Sequence, residues 1–365
     1  MKATKYTNLE FTRLACDTLM KKFKAADLPP TGKYHYHQGV FLSGVENVYD
    51  ITRDEKYITY VKEYIDSQIT MNGEIINHIK EDLDDLQPSL LLFLLYEITK
   101  DERYNKVIKK TAQYFSEIKT NPEGGFWHKG HTPDQMWLDG LYMAGPFMAE
   151  YAKKYNCPKF FDIVYTQMYL MKKHMFDSQT GLLYHGWDYS KKMEWSDSET
   201  GCSAFFWGRS IGWYIVAITD ILDCIPENYE KRQDFIDTGA ELINAIVKFQ
   251  DKNSGRWYQI VNRGADPKNW LENSCSCLFT YAISKAVRKG YIDREFEKIA
   301  DMGYNGVLET IGFTDDNSII LDHICIGTGI ADYDYYLNRP TCINDLHGMG
   351  ALLLMCTEYH RLKNS

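Results

Sequence analysis

The sequence has no apolar run close to the roughly 20 residues needed to span a bilayer, so no transmembrane helix is expected. The first 24 residues interleave charges with apolar residues and contain no hydrophobic signal-peptide core. Basic residues are in deficit as well, since 41 Lys and Arg face 50 Asp and Glu for a formal charge of −9. Because phosphate groups bind clustered cations, neither a nucleic acid nor a membrane is expected as a partner.

Paired cysteine motifs are also missing. The nine cysteines are an odd, scattered set without a CxxC pair. Such a set does not support a disulfide framework, and the isolated Cys275 and Cys277 are best interpreted as packing residues rather than zinc ligands. We therefore expect free thiols in a reducing cytoplasm.

Several catalytic signatures are absent. Without a GxSxG elbow a serine nucleophile has little support, and without GxGxxG or a P-loop a nucleotide cofactor has none. His35 and His37 flank Tyr36, but no HExxH motif or Cys/His ligand spacing accompanies them, so a metal site is a minor alternative. The sequence predicts no cofactor and no metal.

Aromatic residues are abundant and unevenly placed. They make up 14% of the chain, and all eight tryptophans fall between Trp127 and Trp270. An indole N–H needs a hydrogen-bond partner, so a core uses Leu and Ile more readily than Trp. Tryptophans clustered in loops indicate a ligand surface, such as a platform for sugar rings.

Apolar residues recur at three-to-four spacing almost throughout, whereas period-two alternation is scarce. The chain is therefore predicted to be all-α. About twelve helical segments are expected, at 8–26, 38–53, 57–71, 84–99, 102–118, 136–155, 158–174, 205–224, 228–250, 273–289, 292–310 and 345–362.

A weak repeat joins successive segments. The stretch YDITRDEKY at 49–57 is echoed by YEITKDERY at 96–104, and YAKKYNCPKF at 151–160 is a looser copy. The offsets are 47 and 55 residues, a period typical of stacked helical hairpins.

Connections alternate between short and long. In an antiparallel array alternate connections lie at one end, so the long loops share one face. Six hairpins closed in a ring would form an (α/α)6 barrel, and we expect residues 1–365 to be one such domain. An open solenoid is the alternative, but the even number of hairpins favours closure, as do small or aromatic residues, rather than charges, along the even-numbered segments. The long loops are 27–37, 72–83, 119–135, 175–204, 251–272 and 311–344; the small residues include Gly39, Gly44, Ala144, Gly145, Gly208 and Gly212.

Two aspartates open neighbouring inner segments on the long-loop face. Asp84 begins segment 84–99, and Asp139 lies in the first turn of 136–155. Paired carboxylates of different pKa supply an acid and a base for glycoside chemistry. Two aspartates that merely complement helix dipoles explain the positions equally well.

Arg209 lies near the start of a predicted helix, between Trp207 and Trp213. The helix dipole disfavours a cation there. The arginine is therefore expected to pair with a carboxylate, either Asp84, Asp139 or one on the substrate.

Four stretches together resemble a known family. They are GGFWHKG (124–130) followed by PDQMWLDGLYMAGPF (133–147), LLYHGWD (182–188), FFWGRSIGW (205–213) and DYDYY (332–336). They resemble the unsaturated rhamnogalacturonyl hydrolases of glycoside hydrolase family 105. They are more distantly similar to the unsaturated glucuronyl hydrolases of family 88. The likeness covers almost the whole chain, and MWLDGLYM is its most specific part.

The resemblance implies an (α/α)6 barrel and a small oligosaccharide substrate with a 4,5-unsaturated uronic acid, most often galacturonic acid, at its non-reducing end. Such substrates arise in pectin degradation. Family members hydrate the C4=C5 double bond: an acid protonates C4, water adds at C5, and the hemiketal opens and expels rhamnose. By this resemblance Asp139 would be the acid and then the base, and Asp84 the second carboxylate. The pocket residues implied are Tyr36, His128, Trp137, His185, Trp207, Arg209 and Trp213.

Some points stay open. The adjacent Asp85 makes the assignment of Asp84 ambiguous by one residue, and Ser89 stands where a glycine is expected. A sugar epimerase or isomerase on the same barrel and a non-catalytic carbohydrate-binding protein are the competing hypotheses. We expect a monomer or a weak homodimer.

Overall fold

Helices form where the apolar spacing predicts them. The computed structural model describes residues 3–77 and 82–365. Within those ranges it has thirteen α-helices: α1 (Asn8–Lys22), α2 (Tyr36–Thr52), α3 (Glu55–Gln68), α4 (Leu92–Thr99), α5 (Glu102–Glu117), α6 (Asp139–Lys154), α7 (Lys159–Met175), α8 (Gly208–Ile221), α9 (Arg232–Ile246), α10 (Asn273–Arg288), α11 (Glu297–Leu308), α12 (Tyr333–Leu337) and α13 (Leu346–Lys363). None of the helices described is long and apolar enough to cross a membrane.

Six elements form a closed inner ring. Helix α2 packs on α13, α13 on α10, α10 on α8, and α8 on α6. Both α6 and α2 pack on the 3-10 segment Gln87–Leu91 that leads into α4, which completes the ring. Helices α1, α3, α5, α7, α9 and α11 lie outside and pack on the inner elements, several of them on two neighbouring ones. The contact between α2 and α13 distinguishes a barrel from an open solenoid, so the predicted barrel of helical hairpins is confirmed.

The repeated sequence forms the short turns between hairpin helices. Arg53 and Lys100 end α2 and α4 in the left-handed conformation, with φ of 53° and 58°. The next residue, Asp54 or Asp101, caps the following helix by accepting a hydrogen bond from the amide two residues on. Each turn therefore reverses the chain within a few residues and keeps the paired helices adjacent.

The predicted helix over 84–99 is wrong in its first half. Two 3-10 segments, Leu83–Asp85 and Gln87–Leu91, precede α4. Pro88 explains the break, because its ring disfavours the α conformation at Gln87 and it has no N–H to continue the ladder. Asp84 is therefore held in a tight turn rather than in the first turn of an α-helix.

The described residues contain four short antiparallel ladders, which the sequence did not predict, and all of them lie in or beside the long loops. Segments of two or three residues are too short to produce a visible alternation. The β1–β2 ladder joins two successive loops, and each of the other three folds one long loop back on itself. They pair β1 (Gln135–Trp137) with β2 (Gly186–Asp188), β3 (Trp257–Tyr258) with β4 (Leu271–Glu272), β5 (Gly312–Phe313) with β6 (Ile319–Ile320), and β7 (Ile324–Cys325) with β8 (Thr341–Cys342).

Ring closure depends on a glycine in α13. A Cβ added at Gly350 would lie 2.6 Å from the carbonyl group of Val40 in α2. We expect Gly350→Ala to lower the free energy of unfolding by about 2 kcal/mol, because two backbones must separate. Urea denaturation measures this change.

Gly239→Ala in the outer helix α9 is the matched control. There the nearest atom to an added Cβ is the Ile218 Cγ2 methyl, at 3.3 Å. This substitution should be neutral or stabilising, since alanine favours a helix by about 1 kcal/mol over glycine. Equal effects of the two substitutions would show that the α2–α13 contact is not the sensitive one.

Candidate active site

Asp139 stands at the junction of a strand and a helix. Strand β1 ends at Trp137 and α6 begins at Asp139. The Leu138 amide donates to the carbonyl of His185, which ties this junction to the next long loop. Asp139 is 8% exposed, and its Oδ2 is fully buried without a hydrogen-bond partner in the described structure.

His185 lies directly behind Asp139. Its ring is completely buried, with Nε2 3.4 Å from Asp139 Oδ2. On the other side of the ring, Nδ1 is 2.7 Å from the hydroxyl of Tyr336. The ring also packs on Trp207 at a centroid distance of 4.6 Å. His185 therefore contacts Asp139 from within the protein.

Asp84 is surrounded by cationic and imidazole groups. Lys129 Nζ lies 2.8 Å from its Oδ2, and His128 Nε2 lies 3.5 Å from its Oδ1. His35 Nε2 is 4.0 Å away. The neighbouring Asp85 is buried but does not line the cavity, whereas Asp84 does. The geometry thus selects Asp84 from the two adjacent acids.

The charges around Asp84 fix its ionisation. Burial by itself would raise the pKa of Asp84, but His128, Lys129 and His35 together outweigh it and lower that pKa. Burial also lowers the pKa of His128 to about 4, so this imidazole is neutral at pH 7. Lys129 therefore supplies the compensating charge at neutral pH, and Asp84 is a carboxylate there.

Arg209 forms no ion pair with a carboxylate of the described residues, contrary to two of the options above. Its guanidinium donates to the backbone carbonyls of Cys325 and Ile326, and it lies over the Trp207 ring at 4.5 Å. The side chain is 2% exposed. An arginine has five N–H groups, so donors remain for an anionic ligand. Of the three partners considered for Arg209, which were Asp84, Asp139 and a carboxylate on the substrate, the last is the one that remains.

These residues surround one cavity of about 340 Å³ at the long-loop face. It brings together seven of the predicted residues: Tyr36, Asp84, His128, Trp137, Asp139, Trp207 and Arg209. Of the others, the sequence interpretation considered His35 and His37 only as possible metal ligands and did not predict the rest. The remaining lining residues are His35, His37, Lys129, His131, Met143, Gly327, Thr328 and Gly329.

Two predicted pocket residues do not line the cavity. Trp213 is fully buried and stacks on Tyr142 at 4.6 Å, because it lies one helical turn below Arg209 and faces the packed interior. His185 supports Asp139 from behind instead of facing the cavity. Lys129, which was missed, directly follows the predicted His128, and its place beside a histidine in a long loop was the available signal.

A larger cavity of about 400 Å³ lies at the opposite ends of the inner helices. Its lysines are paired within the protein: Lys285 with Asp220 at 2.6 Å, and Lys154 with Glu97 at 2.6 Å. Glu46 also lines this cavity, and burial raises its pKa to about 8. The long-loop cavity differs because it combines indole rings with a carboxyl oxygen that has no hydrogen-bond partner. Size alone does not identify the site.

His37, Asp345 and His347 form a cluster of metal-ligand type, with donor atoms within 4.8 Å of one another. However, His347 Nδ1 is only 2.5 Å from Asp345 Oδ1. Two ligands of one tetrahedral zinc ion would stand roughly 3.4 Å apart at bond lengths of about 2.0–2.1 Å. Asp345 also caps α13 by accepting from the His347 amide. His347 and Asp345 are therefore a direct imidazole–carboxylate pair, and their atoms lie too close together to be two ligands of one zinc ion.

The chemistry available at the long-loop cavity is that of sugar recognition and acid–base catalysis. Indole faces pack on the apolar faces of sugar rings, and a guanidinium binds a carboxylate. One carboxyl group lies beside an ammonium and the other beside an imidazole, and two carboxyl groups in different surroundings are what acid–base catalysis on sugars uses. The class of protein that fits this barrel and pocket is a carbohydrate-active hydrolase.

Comparison with known proteins agrees with that class. The model of Glycosyl Hydrolase Family 88 matches residues 12–363. A solved family 105 glycoside hydrolase from C. acetobutylicum ATCC 824 is 34% identical, with a TM-score of 0.91 over 96% of this chain and 99% of that one. The chain therefore belongs to glycosyl hydrolase family 88, and its structure is similar to that of a family 105 enzyme.

Two curated relatives have named activities. The unsaturated rhamnogalacturonyl hydrolase YesR of Bacillus subtilis strain 168 is 26% identical over 280 residues, 72% of this chain and 74% of YesR. The unsaturated 3S-rhamnoglycuronyl hydrolase of Formosa agariphila is 23% identical over 271 residues, 70% of this chain and 68% of that protein. The chain is accordingly a glycosidase of this family.

Lys129→Met tests the charge balance at Asp84. Removing the ammonium leaves a buried carboxylate beside a neutral imidazole, and we expect about 2 kcal/mol less stability at pH 7. The folded-state pKa of Asp84 is lowered, so the stability it contributes is present above its unfolded pKa of about 3.9 and is lost as pH falls. The deficit of the variant should therefore shrink between pH 7 and pH 3.

Urea denaturation at several pH values measures that trend. Lys21→Met, an exposed lysine on α1, serves as the control and should change stability by less than about 0.5 kcal/mol. A deficit for Lys129→Met that does not vary with pH would remove Asp84 as its cause.

Proposed function

We propose that this enzyme releases a 4,5-unsaturated uronic acid from a small oligosaccharide, with unsaturated galacturonyl-rhamnose from pectin degradation as the first substrate to test. The observation that carries the proposal is the pair Asp84 and Asp139 at one Trp-lined cavity, of which only Asp84 has a lysine partner. The names of the curated relatives support the same substrate class.

In the proposed reaction Asp139 gives its proton to C4 of the unsaturated sugar. The electrons of the C4=C5 double bond form the new C–H bond, and positive charge develops at C5. Asp139, now a carboxylate, takes a proton from water as the water oxygen bonds to C5. The resulting hemiketal opens and expels the second sugar. The reaction thus hydrates an alkene instead of protonating the glycosidic oxygen.

The other residues bind and orient the sugar. Asp84, held as a carboxylate by Lys129, accepts hydrogen bonds from sugar hydroxyls. Arg209 binds the uronate carboxylate with the N–H groups left free by its contacts to Cys325 and Ile326. The indole of Trp207 and the side chains of Tyr36, His128 and Trp137 enclose the ring.

Several wider expectations belong to the same proposal. Residues 1–365 would act as one catalytic domain, as a monomer or a weak homodimer. No metal or cofactor takes part in the proposed steps. A cytoplasmic location is supported by the nine cysteines, all of which are free thiols in the structure.

The loss of ultraviolet absorbance from the conjugated alkene tests the proposal. We expect this absorbance to fall, with release of rhamnose, when the enzyme meets unsaturated galacturonyl-rhamnose; unsaturated glucuronyl-rhamnose is the comparison substrate. An epimerase would interconvert sugars without releasing one, and a binding protein would leave the alkene unchanged. A constant signal with both disaccharides would refute the proposed activity.

Asp139→Asn is expected to lower kcat by at least about 1,000-fold with little change in substrate affinity, because the amide cannot supply the proton but keeps the shape. Asp134→Asn is the control: it lies in the same loop at a φ of 62°, a conformation that asparagine also adopts, and does not line the cavity. Rates come from the alkene assay and affinity from calorimetry. Full activity in Asp139→Asn would exclude Asp139 as the acid.

A further inference from the structure

Tyr336 connects the short helix α12 to the proposed acid. The residue is fully buried, and its hydroxyl lies 2.7 Å from His185 Nδ1. Its own backbone is held by Gln259, whose side chain donates to the Tyr336 carbonyl. The phenol therefore has a fixed position on the side of the imidazole that is remote from Asp139.

The partners of the phenol determine where its proton points. Burial raises the pKa of Tyr336 well above its usual value, although a backbone hydrogen bond from Ala331 opposes the rise. The hydroxyl is therefore protonated at neutral pH and has one hydrogen to donate. Its own hydrogen needs an acceptor, and among the described residues His185 Nδ1 is the one in contact.

A neutral imidazole carries one N–H. If Nδ1 accepts from Tyr336, the N–H of His185 is on Nε2, which faces Asp139 Oδ2 at 3.4 Å. Neither of these two atoms has another hydrogen-bond partner in the described structure. The distance is long for a hydrogen bond, as is usual before a substrate tightens a catalytic site.

The two oxygens of Asp139 are not equivalent. Oδ2 is fully buried against His185, while Asp139 as a whole lines the cavity. Oδ1 is therefore the oxygen available to a substrate. An N–H donated to Oδ2 occupies that oxygen as an acceptor, so the proton of the carboxylic acid belongs on Oδ1.

We propose that Tyr336 is a positioning residue that holds His185 in its Nε2–H tautomer and so keeps the acidic proton of Asp139 on Oδ1, facing the alkene. This inference rests on the proposed function, in which Asp139 protonates C4. The proton then moves from Oδ1 to C4 while the Nε2–H stays on His185. In the opposite tautomer a bare Nε2 would accept the proton from Oδ2 and hold it inside the protein.

The tautomer itself is measurable without substrate. In protein labelled with nitrogen-15 histidine, two-dimensional NMR distinguishes a protonated from an unprotonated ring nitrogen. The signals of His185 are identified as those that disappear in the spectrum of His185→Gln. We expect them to show the proton on Nε2 in the unaltered protein. A proton on Nδ1 would overturn the proposal whatever the enzyme hydrolyses.

Tyr336→Phe removes the hydroxyl and keeps the ring. We expect a mixture of His185 tautomers and a fall in kcat of about 100-fold with KM changed less than about threefold, because the acid is misplaced but the sugar contacts remain. Tyr333→Phe is the matched control on the same helix. It loses a hydrogen bond to Asp266 at 2.8 Å without touching His185, and its kcat should stay within about twofold of the unaltered enzyme.

A double-mutant cycle separates positioning from general damage. A glutamine at position 185 donates an amide N–H that does not depend on Tyr336, so adding Tyr336→Phe to His185→Gln should lower kcat by less than about threefold. Thermal unfolding checks that each variant is folded. An unchanged kcat in Tyr336→Phe, or an equal loss in both backgrounds, would overturn the proposal. Absence of hydrolysis in the unaltered enzyme would overturn the proposed function, while the NMR result would still decide the tautomer.

Discussion

The close approach of α2 and α13 is the constraint on which the rest of the structure depends. Val40 and Gly350 bring the two backbones together with no room for a side chain between them. That contact joins the first inner helix to the last, and so it also joins their N-termini at the long-loop face. Rings from those two N-termini, His37 and His347, come to 5.1 Å as a result. One wall of the cavity is therefore a direct product of ring closure.

The two carboxyl groups show how the same sequence signal leads to different chemistry. The sequence predicted that Asp84 and Asp139 both start a helical segment, where a helix dipole favours an anion. Their surroundings differ because loop residues reach them from different elements: Lys129 contacts Asp84, and His185 contacts Asp139. A nearby ammonium holds Asp84 as a carboxylate, whereas the group next to Asp139 is an imidazole. Loop contacts, and not helix position, separate the two.

The sequence predicted the features that depend on local spacing. The helix positions, the alternation of long and short loops and the cavity residues Asp139, Trp137 and His128 follow from periodicity or from contiguous motifs. Features that depend on distant contacts were missed or wrong. Arg209 meets the carbonyl of Cys325, 116 residues away, and Trp213 turns inward onto Tyr142. No local pattern encodes such pairings, because they are decided by which loops the closed ring brings together.

In the proposed reaction the last long loop would link substrate binding to proton transfer. Its residues Cys325 and Ile326 accept the hydrogen bonds that orient Arg209, and a few residues later Tyr336 meets His185. The guanidinium that would bind the uronate and the imidazole behind the acid thus depend on one segment of chain. A shift of this segment would move both groups together. The carboxylate and C4 of the sugar are separated by a fixed covalent distance. Because Arg209 and His185 both contact the same loop, a movement of that loop would keep the proposed acid aligned with the alkene.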